Sequence, residues 1–156
     1  MKRTYRSFFL MLSALFMMSA CAPMLDPQPP SSVTHPQAIA LYEKALAGDI
    51  EALYSVGLYY KWGWNGFPKD AWKAADAWEL AAKKGHSNAY FQLGVAYANG
   101  TGRLMNQEKA TRYFRRAARR GNKAAVMVLE GRGESVLSEK EENEAFRDEF
   151  FRKYVF

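Results

Sequence analysis

The sequence repeats itself at the interval of one helical hairpin. The stretch AAKKGHSNA at 81–89 returns as AARRGNKAA at 117–125, 36 residues later. The glycines within it belong to a series formed by Gly48, Gly85 and Gly121. A glycine after an alanine-rich segment closes a helix in the left-handed conformation, and the Asp, His or Asn that follows is suited to begin the next one. At the second joint, Ser87 shares this capping role with the weaker His86. The repeat therefore predicts tandem helices joined by tight turns.

Small and large apolar residues recur in register within the first helix of each unit. The matched pairs are Ala52 and Ala89, Gly57 and Gly94, and Tyr60 and Tyr97. Glycine inside a helix is less favourable than alanine by up to about 1 kcal/mol, so its return at one register predicts a close approach of a neighbouring helix. This alignment defines full units at 49–85 and 86–121, with half units at 37–48 and 122–131.

The second helix of each unit repeats Lys-Ala near its start and Ala-Ala near its end. This layout resembles the Sel1-like repeat family, whose helical hairpins are relatives of the tetratricopeptide repeat. The resemblance implies an all-α fold, a short right-handed α-solenoid in which each hairpin packs on its neighbours. The sequence departs from the family pattern after the second glycine loop, where Arg103 and Leu104 replace the usual valine.

The two ends of the chain carry further predictions. Residues 1–20 have the basic start, short apolar run and small residues of a secretory signal peptide. Cys21, the only cysteine, follows Met-Ser-Ala. This resembles the lipobox of bacterial lipoproteins, which implies a covalent lipid, such as palmitate, on Cys21. Ala22 resembles an outer-membrane sorting signal. We therefore expect a lipid-anchored protein of the outer membrane, with its folded domain in the periplasm.

Two segments flank the repeats. The proline-rich stretch 21–36 predicts a semi-extended tether with a reach of about 45 Å that holds the domain off the membrane. A site for a proline-recognising partner is the alternative. A capping-box pattern at Ser138 predicts that 132–156 contains a helix that caps the last repeat. The alternative is a tail that binds a partner.

No arrangement of residues in the sequence points to catalysis. The two histidines lie at positions 35 and 86, and the motifs of serine hydrolases, zinc proteases and phosphate loops are missing. We predict no enzyme activity, no metal, no small-molecule substrate and no cofactor beyond the lipid on Cys21. The periplasmic location argues against nucleic acid as a partner. A hydrolase of cell-wall material would need a pair of acids on one face of a groove.

The surface predicts a protein partner instead. Four arginines follow the spacing i, i+3, i+4 and i+7, which places them on one helical face: Arg112, Arg115, Arg116 and Arg119. Such a face suits an acidic partner or anionic lipid headgroups. The alternative is a solvated face, partly neutralised by the acidic segment 134–156.

Aromatic residues supply the second set of candidates. The loop WGWNGFP carries Trp62, Trp64 and Phe67, a residue class typical of binding hot spots. The alternative is that they pack the loop against the neighbouring helix. By resemblance to the family, some positions that differ between the units line a concave binding surface; Tyr59, Tyr90 and Gln92 are candidates. Together these features predict an envelope scaffold or adaptor, with a periplasmic immunity protein that blocks a toxic effector as the alternative.

Overall fold

A computed structural model of the chain describes residues 24–131. All regular structure within that range is helical, and each helix packs against the helices before and after it in the chain. The predicted all-α solenoid is confirmed. The predicted signal peptide at 1–20, the predicted lipid site at Cys21 and the predicted capping helix at 132–156 lie outside the described residues. The α-helices are α1 (Pro36–Leu46), α2 (Ile50–Trp62), α3 (Ala71–Lys83), α4 (Ser87–Asn99), α5 (Gln107–Arg119) and α6 (Lys123–Leu129), with a short 3-10 turn at Trp64–Gly66.

The glycine joints form as the sequence predicts. At the second joint, Gly85 has a φ of 98°, its N–H donates to the carbonyl of Ala82, and the N–H of His86 donates to the carbonyl of Ala81. This is the Schellman motif, which satisfies carbonyls that the helix end leaves open. His86 then begins α4, because its Nδ1 accepts the Ala89 N–H at 3.1 Å. The cap is therefore His86 alone, and Ser87 lies inside the helix.

The two glycines inside helices mark close packing between the helices of one hairpin. A Cβ on Gly57 would collide with the indole of Trp78 on α3, and a Cβ on Gly94 would lie 2.5 Å from the ring of Phe114 on α5. Trp78 and Phe114 are 4% exposed. The predicted close approach is thus an aromatic ring lying directly on a helix backbone, once in each hairpin.

The proline-rich segment, predicted as a semi-extended tether, is partly docked on the helices. Between Asp26 and Val33 it lies against α1 and α3: the Asp26 carboxylate pairs with Lys73 at 2.8 Å, and the Asp26 carbonyl accepts from the Tyr42 hydroxyl at 3.0 Å. Val33 is buried, and the Ser32 hydroxyl donates to the Gly66 carbonyl. The physical reason is that distant residues supply partners for this segment. Its reach of about 45 Å was therefore overestimated.

Candidate partner-binding site

A cleft between α4 and α5 brings cations and aromatic rings together. It is a cavity of about 220 Å³ lined by Tyr97, Lys109, Arg112, Tyr113 and Arg116. The rings of Tyr97 and Tyr113 stack with centroids 5.4 Å apart and an angle of 8° between their planes. The Lys109 ammonium lies 5.2 Å from the Tyr97 ring, and the Arg116 guanidinium lies 6.0 Å from the Tyr113 ring. Tyr97 is 9% exposed and Tyr113 is half-buried, so the aromatic wall that the two rings form beside the cations is open to solvent mainly at Tyr113.

The sequence of α5 explains why these side chains meet. Lys109, Arg112, Tyr113 and Arg116 follow the spacing i, i+3, i+4 and i+7, so they form one stripe of the helix. Phe114 and two alanines form the buried stripe that holds α5 against α4. Tyr97 comes from the end of α4, where α5 runs past it in the opposite direction. The cleft is therefore built by a single hairpin.

Only part of the predicted arginine face lines this cleft. Arg112 and Arg116 belong to it, while Arg115 and Arg119 are exposed but lie outside it. The Arg112 guanidinium lies 3.8 Å from Glu108, an exposed pair four residues apart on the helix. Such a pair contributes well under 1 kcal/mol, so it leaves Arg112 available to another anion.

The sequence did not identify the tyrosines of the cleft as binding residues. Tyr97 was recognised only as a structural position of the repeat, and Tyr113 was not singled out. The sequence does carry a signal for Tyr113, because Lys109, Arg112, Tyr113 and Arg116 have the same helical spacing as the four arginines. The contribution of Tyr97 from the preceding helix depends on how α4 and α5 pack, which the spacing within α5 does not give.

The aromatic loop after α2 is divided between the core and the surface. Phe67 is 3% exposed and packs against the rings of Tyr42, Tyr59 and Tyr60. The structure therefore places Phe67 in the core, in agreement with the packing alternative, and leaves it little surface for a partner. Trp62 and Trp64 are half-buried, with ring centroids 6.3 Å apart, and remain candidates for contact.

The three candidates for a concave surface are buried. Tyr59, Tyr90 and Gln92 are each less than 9% exposed. Tyr59 packs on Phe67, the Arg120 guanidinium lies 4.7 Å from the ring of Tyr90, and Gln92 accepts a bond from Lys61 on α2 at 3.4 Å. These side chains join elements of the solenoid, and their burial leaves them little surface for a partner.

Arg103, which the sequence showed only as a departure from the family pattern, connects the two hairpins. Its guanidinium bonds Asp76 at 2.7 Å and Glu79 at 3.0 Å, and its side chain is 11% exposed. Burial lowers the pKa of Arg103, but the two carboxylates outweigh that effect and raise the pKa above its usual value. Asp76 and Glu79 are the kind of acid pair that a hydrolase would require, and here both bind a cation.

A second cavity, of about 630 Å³, lies at the joints between hairpins. Its lining carries both signs of charge, with Asp49 and Glu51 facing Lys84 and Arg120. Nε2 of His86 lies 3.2 Å from Glu51. Residues 24–131 contain no cluster of three His, Cys, Asp or Glu side chains that could hold a metal ion. None of the helices in that range is both long and apolar enough to cross a lipid bilayer.

Comparison with known proteins agrees with the repeat seen in the sequence and the fold. The family model of the Sel1 repeat matches residues 35–49, 50–86 and 87–122, which together make up more than half of the chain. The second and third matches each begin one residue after the start of a predicted full unit. Chitin synthase regulatory factor 3 of Schizosaccharomyces pombe is 35% identical over 68 residues, which are 44% of this chain and 7% of that protein.

Solved structures show the same architecture. The crystal structure of a Sel1 repeat protein from Oxalobacter formigenes is 27% identical with a TM-score of 0.51, and the match covers 62% of this chain and 46% of that one. The protein c5321, a protective antigen present in uropathogenic Escherichia coli strains that displays an SLR fold, is 27% identical with a TM-score of 0.55. That match covers 76% of this chain and 25% of the other. The chain thus spans less than half the length of each of these proteins.

Proposed function

Because the chain belongs to the Sel1 repeat family, whose members are generally protein-interaction modules, we propose that it is a non-catalytic adaptor whose cleft binds an acidic segment of a partner protein. The observation that carries the proposal is the stack of Tyr97 and Tyr113, flanked by the cations of Lys109, Arg112 and Arg116.

The chemistry of the cleft favours a peptide with carboxylates and apolar side chains. Guanidinium groups form paired hydrogen bonds with carboxylates, and the half-buried ring of Tyr113, backed by Tyr97, offers a rigid apolar surface that loses little entropy on binding. One exposed ion pair contributes at most about 1 kcal/mol. Specific binding therefore requires several charges together with contact on the rings, and the cleft supplies both within one hairpin.

The proposed location follows from the N-terminal sequence. A lipid on Cys21 would anchor the chain to the outer membrane, with the repeats on the periplasmic side. The basic start and short apolar run of residues 1–20, the lipobox-like Met-Ser-Ala-Cys and the alanine at position 22 support this part of the proposal. An adaptor at this site would hold a soluble or membrane-bound partner close to the membrane surface.

Co-purification from native membranes tests the proposal. The full chain, tagged at its C-terminus, is compared with the double variant Arg112→Glu, Arg116→Glu. The matched control is Lys44→Glu, Lys83→Glu, which makes the same change in net charge at exposed positions outside the cleft. We expect partners bound by the wild type and the control to be lost from the cleft variant. Partners retained equally by all three proteins would contradict the proposed site.

The same experiment separates the scaffold from the immunity protein. A scaffold of an envelope assembly predicts several partners, captured in amounts that vary with the detergent used. An immunity protein predicts a single partner, captured in an amount equal to that of this chain. Expression of that partner alone would be toxic, and its expression together with this chain would not. In both cases the cleft variant is expected to lose the interaction.

A further inference from the structure

The most exposed apolar side chains of the described residues lie at the loop end of the helical hairpins. They are Met24, Trp72, Leu104 and Met105, which are 71%, 56%, 81% and 69% exposed. The other large apolar residues that reach the surface within 24–131 are 37–42% exposed. Exposed clusters of this kind mark contacts with proteins or membranes.

Contacts between neighbouring segments hold these four residues at the same end. The loop after α4 packs on the start of α3, where a Cβ on Gly102 would collide with the carbonyl of Ala71. The next residue, Arg103, has its guanidinium 5.7 Å from the ring of Trp72. Leu104 and Met105 follow directly in the chain. Met24 precedes the Asp26 that pairs with Lys73, one residue beyond Trp72.

The docked segment fixes how far this end can be from Cys21. Asp26 is held by Lys73 and Tyr42, and it lies five positions after Cys21. Five residues span at most about 18 Å when fully extended. A lipid on Cys21 would therefore keep Asp26 within that distance of the membrane surface, and would turn the apolar end toward the lipid.

We propose that Trp72, Leu104, Met105 and Met24 form a membrane-contact surface that rests on the phospholipid leaflet into which Cys21 is anchored. The inference depends on the proposed lipid anchor. Tryptophan favours the boundary between headgroups and acyl chains, and leucine and methionine favour the acyl region just below it. The contact is apolar in character, since the Arg103 cation beside Trp72 is already bound by Asp76 and Glu79.

The consequence is a fixed orientation of the partner-binding cleft. A free tether would let the repeats rotate above the membrane. The short stretch between Cys21 and Asp26, together with the apolar contact, would instead hold the loop end of both hairpins at the membrane surface. The joints at Gly85 and Gly121 then point away from the membrane, because the helices of a hairpin run in opposite directions. A partner would meet the Tyr97 and Tyr113 cleft from the side.

Fluorescence quenching in vesicles tests the surface. The full lipidated chain is placed in vesicles of phosphatidylethanolamine and phosphatidylglycerol, with or without bromine on the acyl chains. The sequence contains four tryptophans, so complete quenching of Trp72 alone lowers the total emission by about a quarter if all four emit equally. We expect Trp72→Phe to remove that loss. High salt should leave it unchanged, because salt screens charges and not apolar contacts.

Two double variants sharpen the result. Leu104→Ser, Met105→Ser should abolish most of the quenching of Trp72, whereas Val126→Ser, Met127→Ser on α6 should not. Equal emission with and without bromine in the wild type would overturn the inference, and so would full quenching of Trp72 in the Leu104→Ser, Met105→Ser variant. Mass spectrometry of the same sample shows whether Cys21 carries lipid. If Cys21 carries no lipid, both the proposed anchor and this inference are overturned. If Cys21 carries lipid but Trp72 is not quenched, only this inference is overturned.

Discussion

Replacement of Gly57 by alanine isolates the contact that fixes the geometry of the first hairpin. In an open helix the change would stabilise the protein by up to about 1 kcal/mol, since alanine is the better helix former. Here the new methyl group would collide with the Trp78 indole. Overpacking of this kind costs about 1–3 kcal/mol. Movement of the ring would also weaken its bond from Nε1 to the Tyr54 carbonyl, now 3.3 Å long, at a further cost of about 1 kcal/mol.

These contributions give a net loss of about 2 kcal/mol in the free energy of unfolding. For a domain of this size, that corresponds to a melting temperature lower by roughly 10 °C. Urea unfolding followed by far-ultraviolet circular dichroism measures it. Trimethylamine N-oxide at one fixed concentration keeps the weaker variants folded. The control is Gly57→Ala in a Trp78→Ala background, where the obstacle is gone and the change should stabilise the protein by up to about 1 kcal/mol.

The second hairpin repeats the test with one difference. Gly94→Ala would press on Phe114, a ring that donates no hydrogen bond, so its cost should be smaller by about 1 kcal/mol. A Gly57→Ala variant that is as stable as the wild type would refute the reasoning. The same loss in the presence and absence of Trp78 would refute it as well, because the effect would then not come from the ring.

Two further predictions concern the cap at the second joint and the buried tyrosines. His86→Ala removes the cap, worth about 1 kcal/mol in the free energy of unfolding, and the ring stacked on Tyr54; His86→Asn should restore the part due to the cap, because asparagine also accepts the Ala89 N–H, and a urea titration that gives equal losses would contradict the cap. Burial raises the pKa of Tyr59 and Tyr113, so the unfolded chain releases protons first as the pH rises above about 10. Stability should therefore be unaffected by these groups below that pH and should fall above it, with a smaller fall in Tyr59→Phe. Urea unfolding midpoints measured across this pH range test the wild type and the variant. The same decrease of stability with pH in both proteins would contradict the raised pKa of Tyr59.

The sequence predicted those features that depend on local chemistry. The joint at Gly85 and the start of α4 at His86 require only a left-handed glycine and a side-chain acceptor, and both are read from neighbouring residues. The positions of Gly57 and Gly94 could be predicted as close contacts because the two copies agree. Which ring lies on each glycine followed only from the packed helices.

The features that the sequence missed depend on residues far apart in the chain. Asp26 meets Lys73 across 47 positions, so a proline-rich composition alone could not show that this segment is docked. The sequence around Phe67 fits a binding hot spot as well as a core residue. The tyrosine rings that surround Phe67 in the structure favour the core. The cleft needed Tyr97 from one helix and Tyr113 from the next, and periodicity within one helix describes only half of that pair.

Site-specific photocrosslinking in living cells tests the central claim most directly. A photoreactive phenylalanine analogue replaces Arg112 or Arg116 in the cleft, and in control strains it replaces Lys44 or Lys83 on other helices. The account predicts a discrete crosslinked product to one or more proteins from the cleft positions, absent from the controls and suppressed when the remaining cleft arginine is changed to glutamate. Products from the control positions with none from the cleft would contradict the proposed binding site.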